Sequence, residues 1–192
     1  MLSNFFLSLA LLFPNLTNDG FWLNKLKSTL HQPSGVQFLI DIEQKEFDKI
    51  STVTAQVKMR DTTEMLIIMD NETILISSDT IRTYNKATKQ LIVDKIISEE
   101  FGLFTLIRGA MDPSYLVKSD IFKDRVLLRF NIDEYGYSGS IGVLKNGIPT
   151  TMSLSYAHNQ VIDIDVKNFK VGVKKSDFLN LPKVHEIINL YE

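Results

Sequence analysis

Between Glu72 and Val93 the chain reads ETILISSDTIRTYNKATKQLIV. The apolar run Ile74 to Ile76 is broken by Ser77-Ser78-Asp79, whose short polar side chains bond nearby backbone and favour turns. An extended pattern resumes from Ile81 to Tyr84, turns again at Asn85-Lys86-Ala87-Thr88, and returns from Lys89 to Val93. Short strands joined by short turns pair with their sequence neighbours, so the stretch predicts an antiparallel meander. A sheet of that kind must bury a face, and the rest of the chain has to supply the cover.

The flanks continue the sheet. Successive side chains of a strand point to opposite faces. Val36, Phe38, Ile40 and Ile42 alternate with mostly polar residues, broken only by Leu39. Val53, Ala55, Val57 and Met59 alternate with Thr52, Thr54, Gln56, Lys58 and Arg60. Glu64 to Met69, EMLIIM, is apolar at consecutive positions and predicts cover on both faces. Beyond Asp124 the pattern returns with Val126, Leu128, Phe130 and Ile132, then Ser138 to Leu144. Asn146-Gly147 is the strongest hairpin signal in the chain. Met152, Leu154 and Tyr156 follow, then Ile162, Ile164 and Val166 opposite Asp163 and Asp165, with Phe169 to Val173 as a further strand. The tail from Ser176 to Glu192 carries no single period. The total is about ten strands by these signals.

Two stretches keep helical time. Leu23, Leu26 and Leu30 share a face within Phe21 to Gln32, and Pro33-Ser34-Gly35 stops that helix. Phe101, Leu103, Phe104, Leu106, Ile107, Ala110 and Met111 recur at three and four, which predicts a central helix. Glu99 and Glu100 at its front suit the helix dipole. Gly102 and Gly109 each weaken it by up to about 1 kcal/mol. Asp112-Pro113-Ser114 ends it, and Pro113 can start a short helical turn through Val117. The fold class is therefore mainly β with helices (α+β). We expect a curved antiparallel sheet forming a half-open β-barrel, covered by an N-terminal helix and a central helical lid.

Composition narrows function. A chain of 192 residues with 44% hydrophobic and 23% charged residues is ordinary globular material and can bury one sizeable core. A net charge of -2 argues against nucleic acid as a partner, because no basic surface tracks phosphates. The absence of cysteine removes disulfides, thiolate metal sites, cysteine nucleophiles and a lipidated N-terminal cysteine. Phe5 to Phe13, FFLSLALLF, is too short to span a bilayer and has the length of a secretory signal core, though no Lys or Arg precedes it. The other reading of that block is a buried N-terminal helix. We take residues 1–18 as a signal peptide, with the cut between Pro14 and Phe21, and residues 19–192 as one domain.

No constellation carries catalysis. His31, His158 and His185 lack ligand spacing, so no metal site is expected. In Gly136 to Gly142, GYSGSIG, Ser138 has no glycine two places on and no helix follows, so the stretch reads as a hairpin loop and not a nucleophile elbow. Asp163 and Asp165 alternate with apolar residues and read as a solvated outer face. No cofactor motif is present, and we expect a non-enzyme. The apolar central helix is richer than a surface helix needs. It can pack as core, or roof a cavity at the mouth of the curved sheet.

In order and spacing these segments resemble the periplasmic outer-membrane lipoprotein carrier (LolA) family. The likeness rests on the helix WLNKLKSTL, the Gln-ended strand FLIDIEQK, the basic pair around Lys58-Met59-Arg60, and the Ser-Asp turn with its Tyr-ended strand. It continues in the lid-like run Gly102 to Ile107, the Asn146-Gly147 turn, and Phe178-Leu179-Asn180-Leu181-Pro182. Asp61 stands where the family has proline after its arginine, and Thr80 where its turn has glycine. The resemblance implies a monomeric periplasmic carrier that shields lipoprotein acyl chains and delivers them to the outer membrane. The implied partners are acylated lipoproteins, an inner-membrane lipoprotein-releasing complex and an outer-membrane acceptor. The implied cavity and lid residues are Trp22, Leu26, Phe38, Ile40, Ile42, Val53, Val57, Leu103, Phe104, Leu106, Ile107 and Met111, with Arg60 as a lid latch. The same architecture would also suit a lipid-binding envelope-stress regulator.

Overall fold

The computed structural model describes residues 18–96, 101–178 and 182–191. Residues 1–17 of the expected signal peptide, Glu99 and Glu100 lie outside the described residues.

Helix α1 (Asn18–Leu30) buries Leu23, Leu26 and Leu30, the face its spacing predicts. The strands are β1 (Val36–Glu46), β2 (Lys49–Arg60), β3 (Glu64–Ile68), β4 (Glu72–Ser77), β5 (Thr80–Asn85) and β6 (Gln90–Lys95). After helix α2 (Leu103–Ile107) come β7 (Leu116–Ile121), β8 (Arg125–Ile132), β9 (Tyr137–Leu144), β10 (Pro149–Ala157), β11 (Gln160–Val171) and β12 (Glu186–Asn189). All belong to one twelve-stranded sheet, in the order β12-β6-β5-β4-β3-β2-β1-β11-β10-β9-β8-β7. The sheet is open and curved, and antiparallel except where β12 joins β6 in parallel. It is two meanders, β1 to β6 and β7 to β11, sewn together along β1 and β11.

The meander between Glu72 and Val93 forms as predicted, as β4, β5 and β6. The Asn146-Gly147 hairpin also forms, joining β9 to β10. Gly147 has φ +94, and a Cβ there would meet Thr29 Oγ1 at 2.2 Å, so glycine lets the turn press against α1. The inner face of the sheet, the side that carries both helices, holds the main core. Phe38, Ile40, Val57 and Met59 meet Leu128, Phe130, Ile141 and the leucines of α1 there.

Several expectations change. Phe169 to Val173 is no separate strand but the end of β11. The β1 and β11 register slips between Gln37 and Leu39, and Asn168 takes φ 54. A bulge of this kind flips the alternation by one residue. It turns Phe169 back to the inner face, where its ring stacks on Phe38 at 5.8 Å. GYSGSIG lies mostly inside β9 and not in a loop. The central helix is five residues long. It stops because Gly109 adopts φ +61, with Leu30 Cδ1 only 3.0 Å from where a Cβ would sit. Phe101 and Met111 are buried all the same, as irregular chain on either side of α2. The turn at Pro113 is a single 3-10 turn, Pro113–Tyr115, and β7 begins directly after it.

The tail explains the apolar run in β3. Met65 and Ile67 join the main core, whereas Leu66 faces outward and packs with Leu75 under Phe178. Lys58 on the same outward row pairs with Asp177 at 3.0 Å. Further along, Tyr84, Leu91 and Val93 are covered by Val184. The β3 to β6 half is thus packed on both faces, while the outer face of β1, β2, β10 and β11 is polar.

Candidate functional site: the cleft beneath α2

Beside α2 the inner face is not filled. A cleft of about 460 Å³ lies there, within the roughly 300–1,000 Å³ usual for small-molecule sites. Ile81, Leu154 and Ile162 contribute from the sheet, Ile96 from the end of β6, and Phe101, Leu103, Phe104 and Thr105 from in and around α2. Register builds the wall: Leu154 of β10 sits opposite Ile162 of β11. Tyr137 and Tyr156 also line it, their rings 6.4 Å apart and edge to face. The Tyr156 hydroxyl donates to Glu46 Oε1 at 3.1 Å and accepts from Gln44 Nε2 at 3.2 Å. Burial, above all, raises its pKa, the Gln44 hydrogen bond opposes this, and the Glu46 carboxylate raises it further.

Three charged residues reach the cleft: Asp94, Lys95 and Arg108. Asp94 Oδ1 accepts the Lys95 backbone N–H at 2.8 Å, and the Lys95 ammonium lies 5.1 Å from the centre of the Tyr191 ring. Arg108 ends α2, and its buried Nη2 makes no hydrogen bond. His31, at the end of α1, also has a buried unbonded nitrogen, Nε2. Its pKa is lowered, chiefly by burial, and by the charges of Lys27 and Arg108 against the opposing effect of the Arg108 backbone.

The expected site residues divide. Leu103 and Phe104 line the cleft. Leu26, Phe38, Ile40, Val57, Leu106, Ile107 and Met111 are closed core. Trp22 and Ile42 are half-buried against that core, and Val53, paired with Ile42, is 43% exposed on the same face. Arg60 sits elsewhere. It falls on the outward row with Lys58, opposite Glu64 of β3, because strand alternation sends even positions of β2 away from the helices. Ile81, Ile96, Tyr137, Leu154, Tyr156 and Ile162 complete the cleft without having been foreseen. Leu154, Tyr156 and Ile162 shared an apolar face in the sequence, but only the register brings them together.

A larger depression, about 700 Å³, lies on the outer face around Asp41, Glu43, Thr52, Thr54, Asp163 and Asp165. It is the solvated face that the alternation predicts. Thr54 Oγ1 donates to Asp41 at 2.7 Å, and Lys167 bonds the same carboxylate and holds its pKa low. Among the described residues no group of three or more His, Asp or Glu is placed to hold a metal, and no helix is long and apolar enough to cross a membrane.

The open, curved sheet with helices on one face recurs among solved structures. A structure of an uncharacterized conserved protein from Thermus thermophilus is similar over 90% of this chain and 99% of its own, with a TM-score of 0.62 at 12% identity. MucB is similar over 92% of this chain and 67% of its own, with a TM-score of 0.55 at 14% identity. A LolA superfamily protein from Nitrosomonas europaea matches over 85% of this chain and 97% of its own, with a TM-score of 0.49 at 9% identity. The fold is shared with the Thermus thermophilus protein and with MucB, and at these identities the likeness is one of fold alone. No family model and no curated protein matches the sequence.

Proposed function

We propose that this protein is a periplasmic, non-enzymatic carrier that shields the acyl chains of lipoproteins and delivers them to the outer membrane. The observation that carries the reading is the apolar cleft between α2 and strands β5, β10 and β11. The sequence resemblance and the shared fold agree with it. Burying an acyl chain yields about 0.8 kcal/mol per methylene, so a fully enclosed chain of some fifteen would be held by on the order of 12 kcal/mol. A carrier has to release its cargo. A half-open cleft beside a helix with few anchors suits transfer better than a sealed cavity does.

The test is incubation of the purified full chain with detergent-solubilised triacylated lipoprotein, followed by isolation of the complex and native mass spectrometry. A complex that forms with the wild type and is lost in Leu103→Asp supports carriage. If neither lipoprotein nor acyl lipid binds, the reading fails. If lipid binds but transfer to acceptor membranes does not occur, a lipid-binding regulator of the same architecture replaces the carrier.

A further inference from the structure

Among the described residues that line the cleft, Arg108 is a charged residue with a buried nitrogen that no hydrogen bond satisfies. A guanidinium stays protonated in proteins and offers five donors. Here Nη2 is buried and bonded to nothing, and among the described residues no carboxylate pairs with the side chain. Burial alone pulls its pKa down. The neighbouring charges are engaged, Asp94 by the Lys95 backbone and Lys95 by the Tyr191 ring. Arg108 is partly buried, and a cation partly withdrawn from water without an anion is unfavourable, which an anion brought by a ligand offsets. The rest of the lining is largely apolar: Ile81, Leu103, Phe104, Leu154 and Ile162.

An apolar wall and a guanidinium without a bonded anion together define an amphiphile. The Arg108 guanidinium matches one negative charge, and the two oxygens of a carboxylate fit its fork in a bidentate pair. The cleft volume fits one small molecule. We infer that the cleft beneath α2 takes a single acyl chain ending in a free carboxylate, with Arg108 seating the head group and the chain lying against Leu103, Leu154 and Ile162. This rests only on the acyl-binding part of the proposed function: the chains of a lipoprotein are ester- or amide-linked and carry no free carboxylate, so the ligand inferred here is a free fatty acid, distinct from that cargo.

Calorimetric titration of the full chain with dodecanoate, dodecanol and dodecyl phosphate tests it. The wild type should bind dodecanoate at least about ten-fold more tightly than dodecanol, as a charge-assisted bidentate pair warrants. Arg108→Gln should bring dodecanoate down to the level of dodecanol, and Arg108→Lys should restore part of the difference, since a point charge replaces the fork. Equal binding of dodecanoate and dodecanol by the wild type overturns the head-group seat and leaves acyl binding standing. Binding of neither overturns both. A preference for dodecyl phosphate over dodecanoate overturns the carboxylate assignment. If Arg108→Gln fails to fold by circular dichroism, the wild-type ranking and its weakening with added salt decide the matter, because a seat of this kind loses its preference as salt screens the pair.

Discussion

Two helices lie on the same inner face, and they are held differently. Helix α1 has thirteen residues, and Leu23, Leu26 and Leu30 are almost wholly buried. The β9–β10 turn is pressed against it so closely that only glycine fits at position 147. Helix α2 has five residues, buries Leu106 and Ile107, and leaves Leu103 and Phe104 half-covered at the cleft. A helix this short has little stability of its own and depends on its packing. The difference separates a fixed wall from a roof, and a roof with two deep anchors is the part of the inner face that opens at least cost.

The sharpest way to break this contrast is truncation. Leu26→Ala should cost about 2–5 kcal/mol in denaturant unfolding, because the packed wall cannot collapse into the cavity. Leu106→Ala should fall at the lower end of that range, since a short helix can resettle. Equal costs for the two would mean that α2 is as fixed as α1. Leu103→Asp should change stability by about 1 kcal/mol or less yet abolish acyl-chain binding, measured by the calorimetry above.

Acid should strain the junction between the helices. His31 faces Lys27 on its own helix and Arg108 from α2, and its folded pKa lies below the ordinary 6.5. The unfolded chain therefore binds the extra proton first, so stability should drop as pH falls below about 6.5 and level off beneath the folded pKa. His31→Gln should flatten that part of the pH–stability curve; an unchanged slope assigns it to other groups. Smallest of all, Arg60→Leu should leave acyl binding and transfer unaltered, because the side chain belongs to the outward row. A clear loss of transfer would restore Arg60 to the lid.

The sheet was legible because alternation is local. Val36 to Ile42 and Val53 to Met59 announce their buried face in their own spacing, and so does the double-sided cover of EMLIIM. What escaped depends on partners far along the chain. Strand β7 is an edge strand whose Val117 and Ile121 remain exposed, so it has little apolar face to show. Strand β12 is four residues that make sense only beside β6. The three-and-four spacing around α2 was real burial, but Phe101 and Met111 achieve it without being helical. Arg60 could have been read correctly, since its even position shares a row with Lys58. Arg108 was visible as the lone charge in LFTLIRGAM, but its missing partner shows only in three dimensions.

The seam between β1 and β11 also sets the order in which this molecule can be assembled. Gln37 and Gly172, bonded across it, are 135 positions apart. Chains grow at about 5–20 residues per second, so the first meander waits on the order of ten seconds for the strand that completes it. During that interval β1 is an open edge beside the unsheltered Val36, Phe38 and Ile40. Such an edge pairs with whatever strand arrives first, which makes misassociation during synthesis the characteristic hazard of this topology.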